Sequence, residues 1–308
     1  MSIDPFSDIL YLIDARGVVS TGLKATGQWS MQVGSQEGLK FNAVLEGECW
    51  LQVEGNEPIL LRNGDCFLLT QGFPFAMATD LSLSPQSAED VFSRSSGHFA
   101  RLDAGDGNEF SCIGGRMQAA DGLDLLVEAL PRLVLLREVH EAAGRVRWLL
   151  TRLVDELDQD APGSRVMSSQ IMQMIFVEMI RAVPAFETGR ASWLQGLFDR
   201  QISKALQLIH AHPARTWRLA DLASACNMSR SRFSARFHAT VGMAPIEYVL
   251  NWRMALARRA LRRGQVPLSQ IAREVGYASE SAFGAAFKRV HGASPKRYAA
   301  SIFNHTTI

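Results

Sequence analysis

The sequence predicts an α+β protein of two domains, an N-terminal β-barrel with accessory helices followed by a C-terminal all-α domain. Three observations predict it. The end of the chain holds one helical unit written twice, over Leu219–Tyr248 and Leu268–Tyr298. The first 120 residues are short apolar segments divided by turn signals. From about residue 123 apolar residues recur at helical spacing. The expected boundaries are 1–183 for the first domain, with its helices from about 123, then 184–192 for a linker and 193–308 for the second domain.

At 308 residues the chain has room for both. Its 47% apolar and 20% charged residues suit a soluble globular protein. No run approaches the ~20 apolar residues of a membrane span. The N-terminal stretch lacks a basic region followed by an apolar core, so a cytoplasmic protein without a membrane partner is expected. Cys49, Cys66, Cys112 and Cys226 are scattered with no metal-ligand spacing, and reduced thiols are the expectation. The formal charge of +1 hides a division: residues 200–308 carry 17 Lys and Arg against 4 Asp and Glu. A basic C-terminal domain on an acidic N-terminal one is the asymmetry of a chain that touches nucleic acid with one domain.

In chain order, FNAVLEGECWLQVEG and EPILLRNGDCFLLTQGFPF read as strands around turns, with Asn63-Gly64 the strongest turn signal. Cys49, Leu51 and Val53 alternate with Trp50 and Gln52, giving strands with two different faces. Residues 80–108, rich in Ser, Asp and Gly, read as a loop, and Phe110 opens a last strand. DLLVEALPRLVLLRE reads as helical, interrupted at Pro131. Val146, Leu149, Leu150, Leu153, Val154 and Leu157 form one helix face. Residues 165–183 form a further helix, apolar around most of its circumference, and so buried in a core or shared with a dimer partner.

Trp193–His210 reads as the first helix of the second domain. Each copy of the repeat then has a short helix with a small residue, Ala223 or Ala272, and a turn. A capping Ser229 or Ser279 follows, and a helix anchored by Phe233 and Phe237 or by Phe283 and Phe287. The offset between copies slips from 49 to 50 residues in the turn. A long helix from Pro245 to Gly264 joins the copies. These are two helix-turn-helix units. The second helix of such a unit enters the major groove, and two held rigidly read segments about one turn apart, roughly 34 Å.

The arrangement resembles the AraC/XylS family of bacterial transcription regulators over about residues 195–301. Its most specific piece is IAREVGYASESAFGAAFKRVHGASPKRYA. The resemblance implies a sequence-specific DNA-binding regulator, an activator of transcription. Geometry and resemblance together place Ser231, Arg232, Ser234 and Ala235 at or beside base edges in the first unit. They place Glu280, Ser281 and Ala285 there in the second. Arg230, Arg236, Lys288 and Arg289 are assigned to phosphates. Glu280 either accepts from a cytosine amino group or is a first-turn acid favoured by the helix dipole. The outward faces are read as differing between the copies, so the two halves are expected to read different DNA.

Many members of that family carry a cupin-like barrel, which NAVLEGECWLQVEG and LRNGDCFLLTQGFPF resemble. Cupin metal sites use several His, and only His98 precedes residue 120; Asn42 and Phe75 stand where ligands would be sought. No metal, cofactor or catalytic residue is expected. A small molecule in an apolar pocket is expected instead, with Phe41, Trp50, Phe67, Phe73 and Phe75 as candidate lining. The alternatives are redox sensing by Cys49, Cys66 or Cys112, and a metal-independent barrel enzyme tethered to a DNA-binding module. The expected partners are double-stranded DNA, a small-molecule effector, a second copy in a homodimer, and RNA polymerase.

Overall fold

Turn signals break the first part of the chain into short strands, which the computed structural model places in two sheets. It describes residues 4–304 apart from 37, 96, 120–121, 160, 187–190 and 265. Two units are present: Ala15–Phe186, and a second in which Glu187–Ile308 is joined by Met1–Asp14. The N-terminal segment thus belongs with the helical unit, not with the barrel expected to begin at residue 1. The fold is the predicted one, strand-rich ahead of helical.

In the first unit the strands are β1 (Arg16–Gly27), β2 (Ser30–Val33), β3 (Leu39–Glu46), β4 (Glu48–Val53), β5 (Ile59–Arg62) and β6 (Cys66–Leu69). They continue with β7 (Phe75–Ala78), β8 (Gln86–Ser87), β9 (Phe99–Ala104), β10 (Glu109–Gln118) and β11 (Leu133–Leu136). One sheet has the order β11-β6-β3-β10-β1-β9 and the other β5-β4-β7-β2-β8. Inward residues such as Leu23, Leu51, Leu61, Phe67, Phe75 and Met77 make one apolar core. The Asn63-Gly64 turn forms as expected, with Gly64 at φ 86°. Asp65 secures it, accepting from the Arg62 amide at 3.0 Å and from Arg137 Nη1 at 2.6 Å.

Two stretches within this unit differ from expectation. Residues 80–108 are not simply a loop, for β9 pairs parallel with β1 over Phe99–Ala104. The apolar run after Pro131 is not helical: Leu133–Leu136 pairs antiparallel with β6 as an edge strand. A run of four apolar residues fits a strand as well as a helix, and an available sheet edge decides it.

The accessory helices include α2 (Ala88–Ser93), α3 (Asp124–Val127), α4 (Glu141–Gln159) and α5 (Ser164–Phe186), where α1 is the N-terminal helix Pro5–Leu12 of the other unit. Helix α5 runs into the expected linker, and 187–190 of that linker lie outside the described residues. Ser164–Val183 is apolar enough by composition to cross a bilayer. Its apolarity is used instead against α4 and the sheet, where Met172, Ile175, Phe176, Met179 and Ile180 are fully buried. Glycines allow the approach. A Cβ on Gly17 would stand 2.5 Å from the Gln173 backbone nitrogen, and one on Gly115 would strike the Met172 sulfur. Ser169 Oγ donates to the Gly17 carbonyl at 2.6 Å.

The second unit contains α1, α6 (Trp193–Phe198), α7 (Ile202–Ala211), α8 (Leu219–Ala225), α9 (Arg230–Val241) and α10 (Pro245–Arg263). It is completed by α11 (Leu268–Glu274), α12 (Glu280–His291) and α13 (Pro295–Asn304). The expected single helix 193–210 is broken, because Asp199 turns to cap α7, accepting from the Gln201 and Ile202 amides. In α1, capped by Asp4, Phe6, Ile9 and Leu12 are buried. Asp8 accepts from His210 Nδ1 at 3.2 Å, and His210 Nε2 accepts from the Tyr248 hydroxyl at 2.9 Å. The imidazole stacks on Trp252 with centroids 3.8 Å apart.

Gly17→Ala is expected to destabilise the first unit by about 1–3 kcal/mol through overpacking. Gly144→Ala, in α4 with nothing near its added methyl, should stabilise by about 0.5–1 kcal/mol. Denaturant unfolding of both variants checks the opposite signs. Burial lowers the His210 pKa from 6.5, against the opposing pull of Asp8 and Asp4. The unfolded chain therefore takes up this proton first, so the stabilisation is full above about pH 6.5 and declines as pH falls below it. The melting temperature should drop between about pH 7.5 and 5.5, with a shallower slope in His210→Gln. Parallel slopes would reject this role for His210.

Candidate nucleic-acid interface and barrel cavity

In each repeat the short helix is followed by one residue with positive φ, Asn227 at 55° or Gly276 at 83°. The chain then turns so that the Met228 amide donates to the Ala223 carbonyl and the Tyr277 amide to the Ala272 carbonyl, at 2.9 and 2.8 Å. Both alanines are buried. The one-residue slip is housed here, since Met228 stands against Tyr277-Ala278. Ser229 and Ser279 accept from the Arg232 and Ala282 amides and cap α9 and α12. Gly242 and Gly292 end these helices at φ 87° and 74°.

Phe233, Phe237, Phe283 and Phe287 are fully buried, which fixes the outward faces. Ser231, Arg232 and Ala235 are exposed and Ser234 is half-buried; Glu280, Ser281 and Ala285 are exposed. Arg230, Lys288 and Arg289 are exposed as well. Among the described residues no carboxylate pairs with Arg230, Arg232, Lys288 or Arg289. Arg236 differs: its guanidinium is held by Asp199, with Nε and Nη2 at 3.1 and 2.8 Å from one oxygen. The two faces also differ less than the sequence reading held. In the structural register Ser231 and Ala235 coincide with Ser281 and Ala285. The contrasts are Arg230 with Glu280, Arg232 with Ala282 and Ser234 with Gly284.

The first unit holds a cavity of about 240 Å³ lined on one side by Leu23, Met31, Met77 and Phe75. Of the five aromatic residues proposed as lining, Phe75 reaches it. Phe41 lies on the opposite face of its strand, 6.1 Å between centroids from Phe176 of α5. Trp50 points outward, opposite its buried neighbours Cys49 and Leu51, and is 37% exposed. Phe67 packs edge-on to Phe75 within the core, and Phe73 lies beneath the Arg132 guanidinium. The polar lining includes Lys40, Asn42 and Arg116, none of them among those five candidates. The available signal was the alternation in Leu39-Lys40-Phe41-Asn42, which sends Lys40 and Asn42 to the side away from Phe41.

All four cysteines are free and buried. Burial pushes Cys66 up to about 12 and Cys112 up to about 11, and raises Cys49 well above the usual thiol value. These thiols are protonated and shielded, the opposite of what thiolate-based sensing requires. Among the described residues no group of three or more His, Cys, Asp or Glu is placed to hold a metal ion.

A cupin family model matches residues 4–185, and a helix-turn-helix domain model matches residues 222–301. An AraC-like transcription regulator of Streptomyces antibioticus is 39% identical over 298 residues, covering 96% of this chain and 98% of that one. The transcriptional regulator AlkR of Acinetobacter baylyi is 30% identical, over 90% of this chain and 92% of its own. Among solved structures, the DNA-binding domain of AdpA in complex with a target DNA is 27% identical over 33% of this chain and 91% of that chain, with a TM-score of 0.32.

Proposed function

The chain belongs to the AraC-like transcriptional regulators, with a cupin domain ahead of a helix-turn-helix domain, and from that premise we propose that a small molecule in the barrel controls its binding to DNA. The observation that supports control by a ligand is the cavity in the cupin unit, walled by apolar side chains and carrying a few polar groups. Holding a molecule, rather than converting it, is the role this reading gives the barrel.

At the DNA, α9 and α12 enter successive major-groove segments, with Ser231, Arg232, Ser234, Ala235, Glu280, Ser281 and Ala285 toward base edges. Arg230, Lys288 and Arg289 take phosphates. Arg236 has a smaller share than its position suggests, since Asp199 already neutralises it. A homodimer forms through α4 and α5, where Trp148, Val166, Met167 and Met174 are apolar and exposed on a unit whose core is already filled. RNA polymerase is a further partner of the DNA-bound protein, which acts in the cytoplasm.

Affinity for DNA is expected to fall linearly in log K against log salt, and a slope near zero would reject the phosphate contacts. Arg230→Ala and Lys288→Ala should each weaken binding to all sequences, with a slope shallower by about 1, while Arg236→Ala should change it less. Ser231 and Glu280 substitutions should change base preference; an unchanged preference in a selection from random DNA would remove them from the base edges. Trp148→Glu should shift the protein toward monomer in sedimentation, and an unaltered oligomeric state would dismiss this face as the dimer contact.

A further inference from the structure

Lys40 and Arg116 are cross-strand partners in the β3–β10 ladder, and Asn42 is the partner of Gly114 two residues along. Like charges directly opposite one another repel. No counter-ion relieves this pair: among the described residues no carboxylate bonds to either cation. Among the described residues the Lys40 ammonium bonds to Ser20 Oγ, at 3.2 Å. Gly114 leaves room for it, since a Cβ there would stand 3.2 Å from Lys40 Nζ and 2.5 Å from Asn42 Oδ1. Asn42 is 7% exposed, and its amide nitrogen is buried without a hydrogen-bond partner. Buried donors without partners are uncommon in folded proteins and carry a desolvation cost of about 1–3 kcal/mol.

All three groups line the same cavity. One cationic corner therefore holds two positive charges and a free amide donor, while Leu23, Met31 and Phe75 supply an apolar wall. Glu89, the one carboxylate among the described lining residues, is exposed. We propose that Lys40, Arg116 and Asn42 bind the carboxylate of a small organic acid whose apolar body lies against that wall. At about 240 Å³ the space suits an aromatic or short aliphatic monocarboxylate, below the roughly 300–1,000 Å³ of sites for drug-sized ligands. An anion here would convert the Lys40–Arg116 repulsion into two charge-assisted contacts and satisfy the Asn42 amide.

The inference rests on the reading of the barrel as the effector domain and specifies the effector's chemistry. It carries a protonic signature. Burial, with the Arg116 charge adding to it, brings Lys40 down to about 8. The groups facing it are Arg116 and Cys112 from β10, Ser20 from β1 and Glu89 from α2. An anion favours the ammonium form, so binding slightly above pH 8 draws in a proton.

The test is calorimetric titration of the full chain with benzoate and with octanoate, against benzyl alcohol and octanol. The acids are expected to bind at least about tenfold more tightly than the alcohols. Lys40→Met and Arg116→Met should each weaken the acids by about tenfold or more. Their ligand-free melting temperatures should be unchanged or higher, because an unpaired charge has been removed. Above pH 8 the binding enthalpy should vary with the ionisation heat of the buffer in the wild type and not in Lys40→Met. Failure of both acids to bind, equal binding of the alcohols, or wild-type affinity in Lys40→Met would overturn the proposal. DNA affinity, measured on a fragment recovered by genome-wide mapping, separates the two readings. Acid bound at Lys40 without effect on DNA upholds the site and rejects the effector reading. No acid binding, with a neutral molecule altering DNA affinity, does the reverse.

Discussion

Both recognition helices depend on one close approach, made where Ala223 and Ala272 let the short helix meet the helix that follows. The backbone carbonyl of each alanine accepts an amide from the turn. Both alanines are 1% exposed, so a larger side chain at either position would have to displace packed neighbours. Once that approach is set, a positive-φ residue and a serine cap define where the second helix starts, and two buried phenylalanines fix its rotation. Full burial of each phenylalanine is favourable by about 1.5–3 kcal/mol. Rotation of the helix is thereby held by its inner side alone, and the outer residues are released to vary. That is why Arg230 and Glu280 can occupy matching places with opposite charge while the frames around them remain alike.

Helix α10 carries the constraint from one copy to the next. Tyr248 and Trp252 face His210 in the first half, while Met254, Ala257 and Leu261 enter the core of the second. His210 is also a point where the N-terminal helix joins this unit, through Asp8, beside the packing of Phe6 on Trp193. A residue more than two hundred positions away thus orients a ring stacked on the helix that joins the two DNA-reading modules.

In the barrel the period of two does comparable work. Strand β3 serves two environments at once: Phe41 meets α5, and Lys40 and Asn42 turn to the cavity. The first depends on α5 lying close to the sheet over Gly17 and Gly115, and the second on Gly114 leaving a space on the other side. Three glycines thus set what the two faces of neighbouring strands can hold. The charged corner is affordable only because a rigid sheet enforces its geometry, and its unpaired groups give the cavity a preference for negative charge.

The repeat, the charge division and the two helix-turn-helix units were legible in the sequence, because periodicity, caps and C-terminal glycines are local. The outward positions of α9 and α12 were legible for the same reason. Leu133–Leu136 was read as helix because an apolar run carries no period; pairing with β6 made it a strand. The break between α6 and α7 and the Arg236–Asp199 pair were not foreseen, since both depend on where one aspartate lands in space. Aromatic residues are what the sequence offers as barrel lining, yet the distinctive groups are Lys40, Asn42 and Arg116, from strands far apart in the chain. By itself the sequence determined the repeated helical units, their outward faces and the family, because these follow from spacing along the backbone. Only the tertiary structure decided which charges found partners and which did not, because that depends on which strands and helices lie side by side.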